Sequence, residues 1–553
     1  MVSRLRASLR SLLASYLLVG SVEWVLAVAL TTIVYDRTGS TGWVALTVAL
    51  RFLPSVLVAP MGGVLADRMD RRRLMVWSCA LRAAGLLVLA AAAAAEAPPA
   101  VLVALAAADT ILLTPYRPAA LALLPSIAPG EDLPRANAVV GGVIQVTWVV
   151  GPAVGAAAVV VSPAFAFALA ALALAGAALG AAAIGGVTQA GGVSVELPRS
   201  PPQMLRDGAL ALRSAPGAVS LLVLMMGVEL VFGFELVAHV AVAAERLEIG
   251  PQGAGWMTAF VGLGGVLGAS LAARAAAGHR AGLILTVAGA GFGVVLAAMA
   301  AITSPALAFG LLLLEGLANV LYDVLTVTLL QRLLSGGLLA RGQALIDALG
   351  AVAMTVGSLG APVIIGVMGL SRGLVAAGGA MVLVAVLVVL PLSSVDRESA
   401  ERIAALAPVV EHFRATALFA LAPYGAVERL AAAAVAMAVP AGTVVVREGD
   451  PSDCLYIVES GRLAVTVNDA LAGRLVTELG ERDWFGEIGV MRSMARTATV
   501  AAVADARLWR IPADDVLAAV DATIGIADPL RRGVSGRLAR THPQLLTPGR
   551  ERP

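Results

Sequence analysis

Two sets of residues in this chain have types and spacings suited to chemistry. The first is Phe485-Gly486-Glu487-Ile488-Gly489, followed at short distance by Arg496-Thr497-Ala498-Thr499. A guanidinium presents a planar fork of N–H donors to an anion. Backbone N–H groups at a Gly-rich helix start can meet the same charge, and a neighbouring carboxylate can accept a hydroxyl proton. The second set lies inside long apolar runs. Glu315, Asn319 and Asp323 are four residues apart, which places them on one helix face. Asn137, Gly141 and Gln145 repeat that spacing without charge. Further polar residues in apolar surroundings are Glu23, Arg51, Asp109, Arg117, Glu229, Glu235, His239 and Asp347. Arg51 is within reach of Glu23 or Asp109 as a partner, and Glu235 and His239 are four apart. Arg82 and Arg117 are read as structural or near a loop. A charge at the bilayer centre costs roughly 2.5–3.5 kcal/mol on insertion scales, so such groups face a protein interior or a transport path. Glu315 and Asp323 are the candidate proton carriers.

Those runs need a membrane to make sense. The chain is 59% hydrophobic and only 14% charged, against about 25% charged in an ordinary soluble protein. Its basic residues are all Arg, and no basic patch with interleaved aromatics indicates nucleic-acid binding. Cys79 and Cys454 fall in different regions, so neither a disulfide framework nor a metal-ligand spacing is present. No nucleophile–base constellation is found, and the chain is read as a non-enzyme with no catalytic residues, no metal and no covalent cofactor.

A spanning helix needs about 20 mostly apolar residues. Twelve candidates follow, near 11–35, 42–66, 74–95, 99–124, 136–161, 163–187, 218–244, 252–276, 281–302, 305–333, 342–368 and 372–392. The basic start MVSRLRASLR and the run behind it read as an uncleaved first span. Arg is concentrated in alternate loops, at Arg4, Arg6, Arg10, Arg68, Arg71–Arg73, Arg135, Arg199, Arg206 and Arg213 among others. That bias places both termini in the cytoplasm. The expected domains are a six-helix half over 1–187, a central cytoplasmic loop over 188–217 and a second half over 218–393. A helical linker over 394–437, a β-rich domain over 438–540 and a disordered tail over 541–553 follow. The halves echo each other: Gly62-Gly63-Val64-Leu65 recurs as Gly264-Gly265-Val266-Leu267, and Gly151 has its counterpart in Gly357. From about 438 to 511, alternating apolar residues bounded by Gly and Asp indicate a small β-roll.

The loop Gly63-Val64-Leu65-Ala66-Asp67-Arg68-Met69-Asp70-Arg71-Arg72-Arg73 resembles the cytoplasmic signature of the major facilitator superfamily, with Asp70 where that family often has Gly. Gly151-Pro152-Ala153-Val154-Gly155 resembles the Gly-Pro motif of its exporters, with Ala156 in place of the last Gly. Together with YRPAALALLPSIAP they make 5–392 similar to the branch of siderophore and macrolide efflux proteins. The resemblance implies a membrane all-α, twelve-helix major facilitator fold (6+6). It also implies conformational roles for Gly63, Asp67, Arg68, Arg71, Arg72, Gly151, Pro152 and Gly155.

The segment 485–500 resembles the phosphate-binding cassette of cyclic-nucleotide-binding domains. Pro440-Ala441-Gly442, Glu448-Gly449-Asp450 and Tyr456-Ile457-Val458-Glu459-Ser460-Gly461 extend the resemblance over about 415–515. It implies a C-terminal cytoplasmic β-roll with flanking helices. Arg496 would meet the cyclic phosphate, Glu487 the ribose 2′-OH, and Phe485, Gly486, Ile488, Gly489, Thr497, Ala498 and Thr499 would complete the site. Ala495 stands where Pro is frequent, and Gly489 where Ala is frequent. Cyclic AMP is the expected ligand in a bacterium, with cyclic GMP open because Thr497 is placed for a purine edge.

The expectation is therefore a multi-pass protein of a bacterial inner (cytoplasmic) membrane: a secondary active, proton-coupled exporter of a small amphipathic molecule, regulated by cytoplasmic cyclic nucleotide. Its partners are the bilayer, the transported molecule and the nucleotide. The rival expectations are a non-transporting membrane receptor, and a constitutive transporter whose C-terminal domain is structural.

Overall fold

The computed structural model describes residues 2–52, 65, 69–128, 133–185, 217–276, 280–333, 337–420, 422–468, 473–522 and 524–541. Two compact units are present, Met1–Asp396 and Arg397–Pro553.

The first unit is helical: α1 (Val2–Thr38), α2 (Thr41–Phe52), α3 (Arg71–Ala94), α4 (Pro99–Leu113), α5 (Tyr116–Ile127), α6 (Leu133–Val161) and α7 (Pro163–Ala182). After the loop come α8 (Ala218–Ala241, continued by a π turn Val242–Arg246), α9 (Gly253–Ala276), α10 (Ala281–Met299), α11 (Pro305–Leu333), α12 (Gly337–Met368) and α13 (Leu370–Arg414). Among the described residues, 11 helical stretches are long and apolar enough to cross a membrane. The expected second span is described only as α2, and the loop 188–216 lies outside the described residues. Two expectations change. The fourth span is interrupted, because Pro115 lacks the N–H that would continue α4, and α5 restarts at Tyr116. The last span does not stop near Leu392 but runs on to Arg414 as one helix of 45 residues. The helix runs on through Pro408, and Asp396 on it accepts from the Gly282 and Leu283 N–H groups (2.9 and 3.0 Å), capping α10.

Between helices that gain little from the hydrophobic effect in lipid, close backbone approach does the packing. Glycine permits it here. A Cβ at Gly264 of α9 would strike the Leu313 carbonyl oxygen of α11, and one at Gly316 of α11 would strike the Val261 carbonyl oxygen of α9. Gly233 of α8 meets Met354 of α12, and Gly357 meets Leu230, in the same way. Gly310, on α11 too, faces open space. Gly316→Ala should therefore cost about 1–3 kcal/mol through overpacking, while Gly310→Ala should be neutral or slightly stabilising. Thermal unfolding of the two full-length variants in detergent checks the difference, and equal midpoints would refute the close approach.

The second unit is a β-roll of two antiparallel four-stranded sheets, ordered β1-β8-β3-β6 and β2-β7-β4-β5. The strands are β1 (Val435–Val439), β2 (Val444–Val446), β3 (Cys454–Ser460), β4 (Leu463–Asn468), β5 (Gly473–Leu479), β6 (Trp484–Phe485), β7 (Thr499–Ala502) and β8 (Ala506–Pro512). Its helices beyond the end of α13 are α14 (Tyr424–Ala433), α15 (Glu487–Arg492), α16 (Ala513–Ala522) and α17 (Ile524–Thr541). The alternating residues Val458, Leu463, Val500 and Leu508 fill the space between the sheets. Phe413, Phe419, Leu430, Ile511 and Leu530 form a second core where helices cover the roll. Roll structure begins three residues earlier than expected: β1 starts at Val435, inside the expected linker over 394–437, and pairs with β8 in the register Val435↔Arg510 to Val439↔Ala506. The tail from 542 lies outside the described residues.

Candidate functional site

Strand β6 delivers Phe485 opposite Tyr456 of β3, and the two rings stack at 4.8 Å and 8°. The chain then turns at Gly486 with φ of 91°, a left-handed conformation that favours glycine. Any Cβ there would also run into the Arg496 guanidinium and the Cys454 carbonyl oxygen. The turn starts α15, whose first residue is Glu487. The backbone of Arg496 is fixed by the turn at Gly449: Gly449 N–H donates to its carbonyl and its own N–H donates to Asp450, both at 2.8 Å.

These elements bring two charged side chains to one wall. Arg496 is buried, donates Nη1 to the Gly486 carbonyl at 3.2 Å and lies over the Tyr456 ring at 5.5 Å. Its Nη2 is 3.5 Å from Asp453, and its Nε has no hydrogen-bond partner. Glu487 is 2% exposed, with Oε2 accepting from Arg537 at 3.0 Å and Oε1 unpartnered. Burial pushes its carboxyl above the ordinary value, and the Arg537 charge opposes that shift. Arg496 and Glu487 both line a cavity of about 340 Å³, the size of small-molecule sites. Phe485, Gly486, Glu487, Ile488, Gly489, Arg496, Thr497 and Ala498 all line it. Thr499 does not: its hydroxyl accepts the Glu448 N–H at 3.0 Å. At Gly489 an added methyl would collide with the Ser452 hydroxyl, so the departure from Ala is accommodated by Ser452.

Arg537 is the residue that sequence reading missed. It comes from α17, donates to the Trp484 carbonyl at 2.5 Å and lies over the Trp484 ring at 5.0 Å. Leu530, Val534 and Leu538 give α17 an apolar face that anchors it, with Val534 and Leu538 packed on Ile488. That spacing is readable as an amphipathic helix, but nothing in it says which carboxylate the flanking Arg meets.

Residues 12–244 match the family described as Major Facilitator Superfamily, and residues 436–523 match the cyclic nucleotide-binding domain. The chain joins a major facilitator part to a cyclic nucleotide-binding domain. It is 32% identical over 116 residues to an uncharacterised NTE family protein of Mycobacterium tuberculosis, covering 21% of this chain and 19% of that protein. It is 45% identical over 78 residues to patatin-like phospholipase domain-containing protein 7 of Rattus norvegicus, covering 14% and 6%. The chain thus spans about a fifth or less of these relatives. The N-terminal domain of a transcriptional regulator from Streptomyces coelicolor A3(2) is similar at 25% identity over 24% of this chain and 94% of that one, with a TM-score of 0.21.

In the major facilitator part, Gly63, Asp67 and Arg68 lie outside the described residues. Asp70 caps α3 by accepting the Arg73 N–H at 2.8 Å, and Arg71 donates to the Ala122 carbonyl at 2.9 Å. Arg72 is exposed. Gly151 and Gly155 bring α6 against Ser21 and Val25 of α1, and the Pro152 carbonyl adjoins Gly255 of α9. Asp109 pairs with Arg82, not with Arg51, at 2.9 Å with both side chains buried. Arg117 donates to the Tyr16 hydroxyl at 2.9 Å. Among the described residues Glu235, four residues from His239, makes no hydrogen bond to it. Instead the carboxyls of Glu235 on α8 and Glu315 on α11 face one another. Glu229 is within electrostatic reach of Asp323 and Asp347, and Gln343 donates to Asp347 at 2.8 Å. The stripe therefore divides: Glu315 is buried with Glu235, whereas Asp323 is exposed near Glu229. Asn319 and Gln145 are half-buried and Asn137 is exposed. The reach between helices is what sequence spacing lacks.

Proposed function

We propose that this multi-pass membrane protein is a proton-coupled exporter of a small amphipathic molecule. Its transport rate is set by a cyclic nucleotide, cyclic AMP by preference, bound on the cytoplasmic side. The observation that carries the regulatory half is the buried Arg496 guanidinium beside Gly486, with Glu487 next to it and a cavity in front. Arg496 fits the single negative charge of a cyclic phosphate, and Glu487 Oε1 fits a ribose hydroxyl. The facing carboxyls of Glu235 and Glu315 are the place we assign to the coupling proton, because among the described residues no ion pair neutralises them in a setting where unpaired charge is costly. Helix α13 carries the last span and continues to Arg414, which gives ligand binding a covalent route to that span. A coupling of about 1–3 kcal/mol is typical of such regulation.

The test is efflux from everted vesicles of a pump-deficient host, with an imposed proton gradient and with or without cyclic AMP. Flux should follow the gradient, change severalfold with the nucleotide, and fall about tenfold or more in Glu315→Gln, in keeping with loss of a positioned proton carrier. Flux that ignored the gradient would remove the coupling claim. Flux that ignored the nucleotide would leave constitutive transport.

A further inference from the structure

One charged group of the nucleotide site comes from outside its own segment. Arg537 of α17 lines the same cavity as Arg496 and Glu487. Its Nη1 donates to the Trp484 carbonyl and to Glu487 Oε2, at 2.5 and 3.0 Å. Its guanidinium carbon lies 5.0 Å from the Trp484 ring centre. Farther along α17, Val534 and Leu538 pack on Ile488. Trp484 and Ile488 lie on either side of Glu487 in the chain. The segment that carries the carboxylate therefore also holds the guanidinium that meets it.

Glu487 needs such a partner. It is 2% exposed, and a buried carboxylate without a counter-charge takes up a proton rather than stay ionised. Burial favours the neutral acid here, and the Arg537 charge opposes it, ahead of that of Arg496. The other titratable groups on the elements packed against α15 are engaged elsewhere or face solvent. On β3, Cys454 accepts from Arg510, Tyr456 lies under Arg496 and Glu459 pairs with Arg507. Asp514 and Asp515 of α16 and Arg531 and Arg532 of α17 are exposed. Across the cavity, Glu478 is exposed and Asp483 accepts the Gly480 N–H at 2.9 Å. A carboxylate accepts a hydroxyl hydrogen bond more strongly than the neutral acid does. Reading of a ribose hydroxyl then depends on Arg537, although Glu487 makes the contact.

We propose that Arg537 is a positioning residue of the nucleotide site: it holds Glu487 as a carboxylate, turned to accept the ribose 2′-OH. This deepens the regulatory reading and rests on its assignment of that hydroxyl to Glu487.

The test is calorimetry on the full-length protein in detergent, with cyclic AMP and 2′-deoxy cyclic AMP, over about pH 5–8. The readout is the ratio of the two affinities, which cancels a general weakening of the fold. In the unmodified protein the ratio should be about ten and should fall as acid protonates Glu487. In Arg537→Gln the fall should come at higher pH, because the charge removed is one that favours the ionised form. At about pH 6 its ratio should then be about threefold or more below that of the unmodified protein. The affinity for the 2′-deoxy form should change much less than that for cyclic AMP. Arg537→Lys keeps the charge and should restore part of the ratio. An Arg537 that only anchors α17 would weaken both nucleotides by the same factor. That result, or an unchanged ratio across the pH range, would overturn the proposal and leave the nucleotide site standing. A ratio near one in the unmodified protein would remove the roles of Glu487 and Arg537 together and leave that of Arg496. Binding of neither nucleotide would remove the regulatory reading itself, and this proposal with it.

Discussion

Replacing Arg496 by Gln should lower cyclic AMP affinity by about 30–150-fold, measured by calorimetry on the full-length protein. The magnitude follows from the loss of a charge-assisted contact worth roughly 2–3 kcal/mol. Arg496 is held in place by the Gly486 carbonyl, the Tyr456 ring and Asp453. Little ordering entropy is then lost on binding, which favours a strong effect. Arg510→Gln is the control, since Arg510 also contacts Asp453, at 2.8 Å, but does not line the cavity. It should change affinity only slightly. Glu487 is tested by ligand chemistry as well as by mutation. Cyclic AMP should bind about tenfold more tightly than its 2′-deoxy form, a hydroxyl-to-carboxylate bond being worth about 1.5 kcal/mol. Glu487→Gln should narrow that gap. If Arg496→Gln bound cyclic AMP as well as the unmodified chain, the β-roll would be a scaffold and not a sensor.

The contrast between the two sites shows what a sequence can carry. The cavity lining around Arg496 was readable because most of its expected residues lie in one short segment, 485–498, where a turn and a six-residue helix set their directions. Spacing along the chain there stands for spacing in the fold. Arg537 escaped because it arrives from another helix nearly forty positions on, and charge alone does not name its partner. Thr499 was included because it adjoins the motif, but strand alternation turns its hydroxyl to the Glu448 N–H. The same limit governs the membrane unit. Eleven of the twelve expected spans and the close-packed Gly151 and Gly357 were legible, being properties of single segments. Which carboxylate faces which was not, because Glu235–Glu315 and Arg82–Asp109 each join separate helices. Element ends also differ from the expected ones where composition changes: α13 runs past Leu392 and through Pro408, and strand β1 starts at Val435.

The Arg82–Asp109 pair gives the largest expected effect on stability. Arg82 is 1% exposed and Asp109 4% exposed, on adjacent helices α3 and α4, and the guanidinium meets the carboxylate through Nε and Nη2 at 2.9–3.2 Å. The contact is nearly saturated on the carboxylate side, so each charge has its partner where water is absent. Removing one leaves the other buried and alone, at a cost of about 3–5 kcal/mol. Asp109→Asn should therefore cut the yield of folded protein sharply and lower its unfolding midpoint, and Arg82→Met should do the same. The double variant Arg82→Met/Asp109→Leu removes both charges and fills the volume with apolar atoms. It should recover most of the loss, because replacing a buried pair by apolar groups is often neutral or stabilising. Fluorescence-detected size exclusion with a thermal ramp reads all three variants in detergent. A purely structural pair predicts near-complete recovery of both fold and efflux in the double variant. Recovery of the fold with efflux still lost would instead make the pair part of the transport cycle, opening and reforming as the helices move. Two single variants as stable as the parent would show that the contact is not the one that holds α3 to α4.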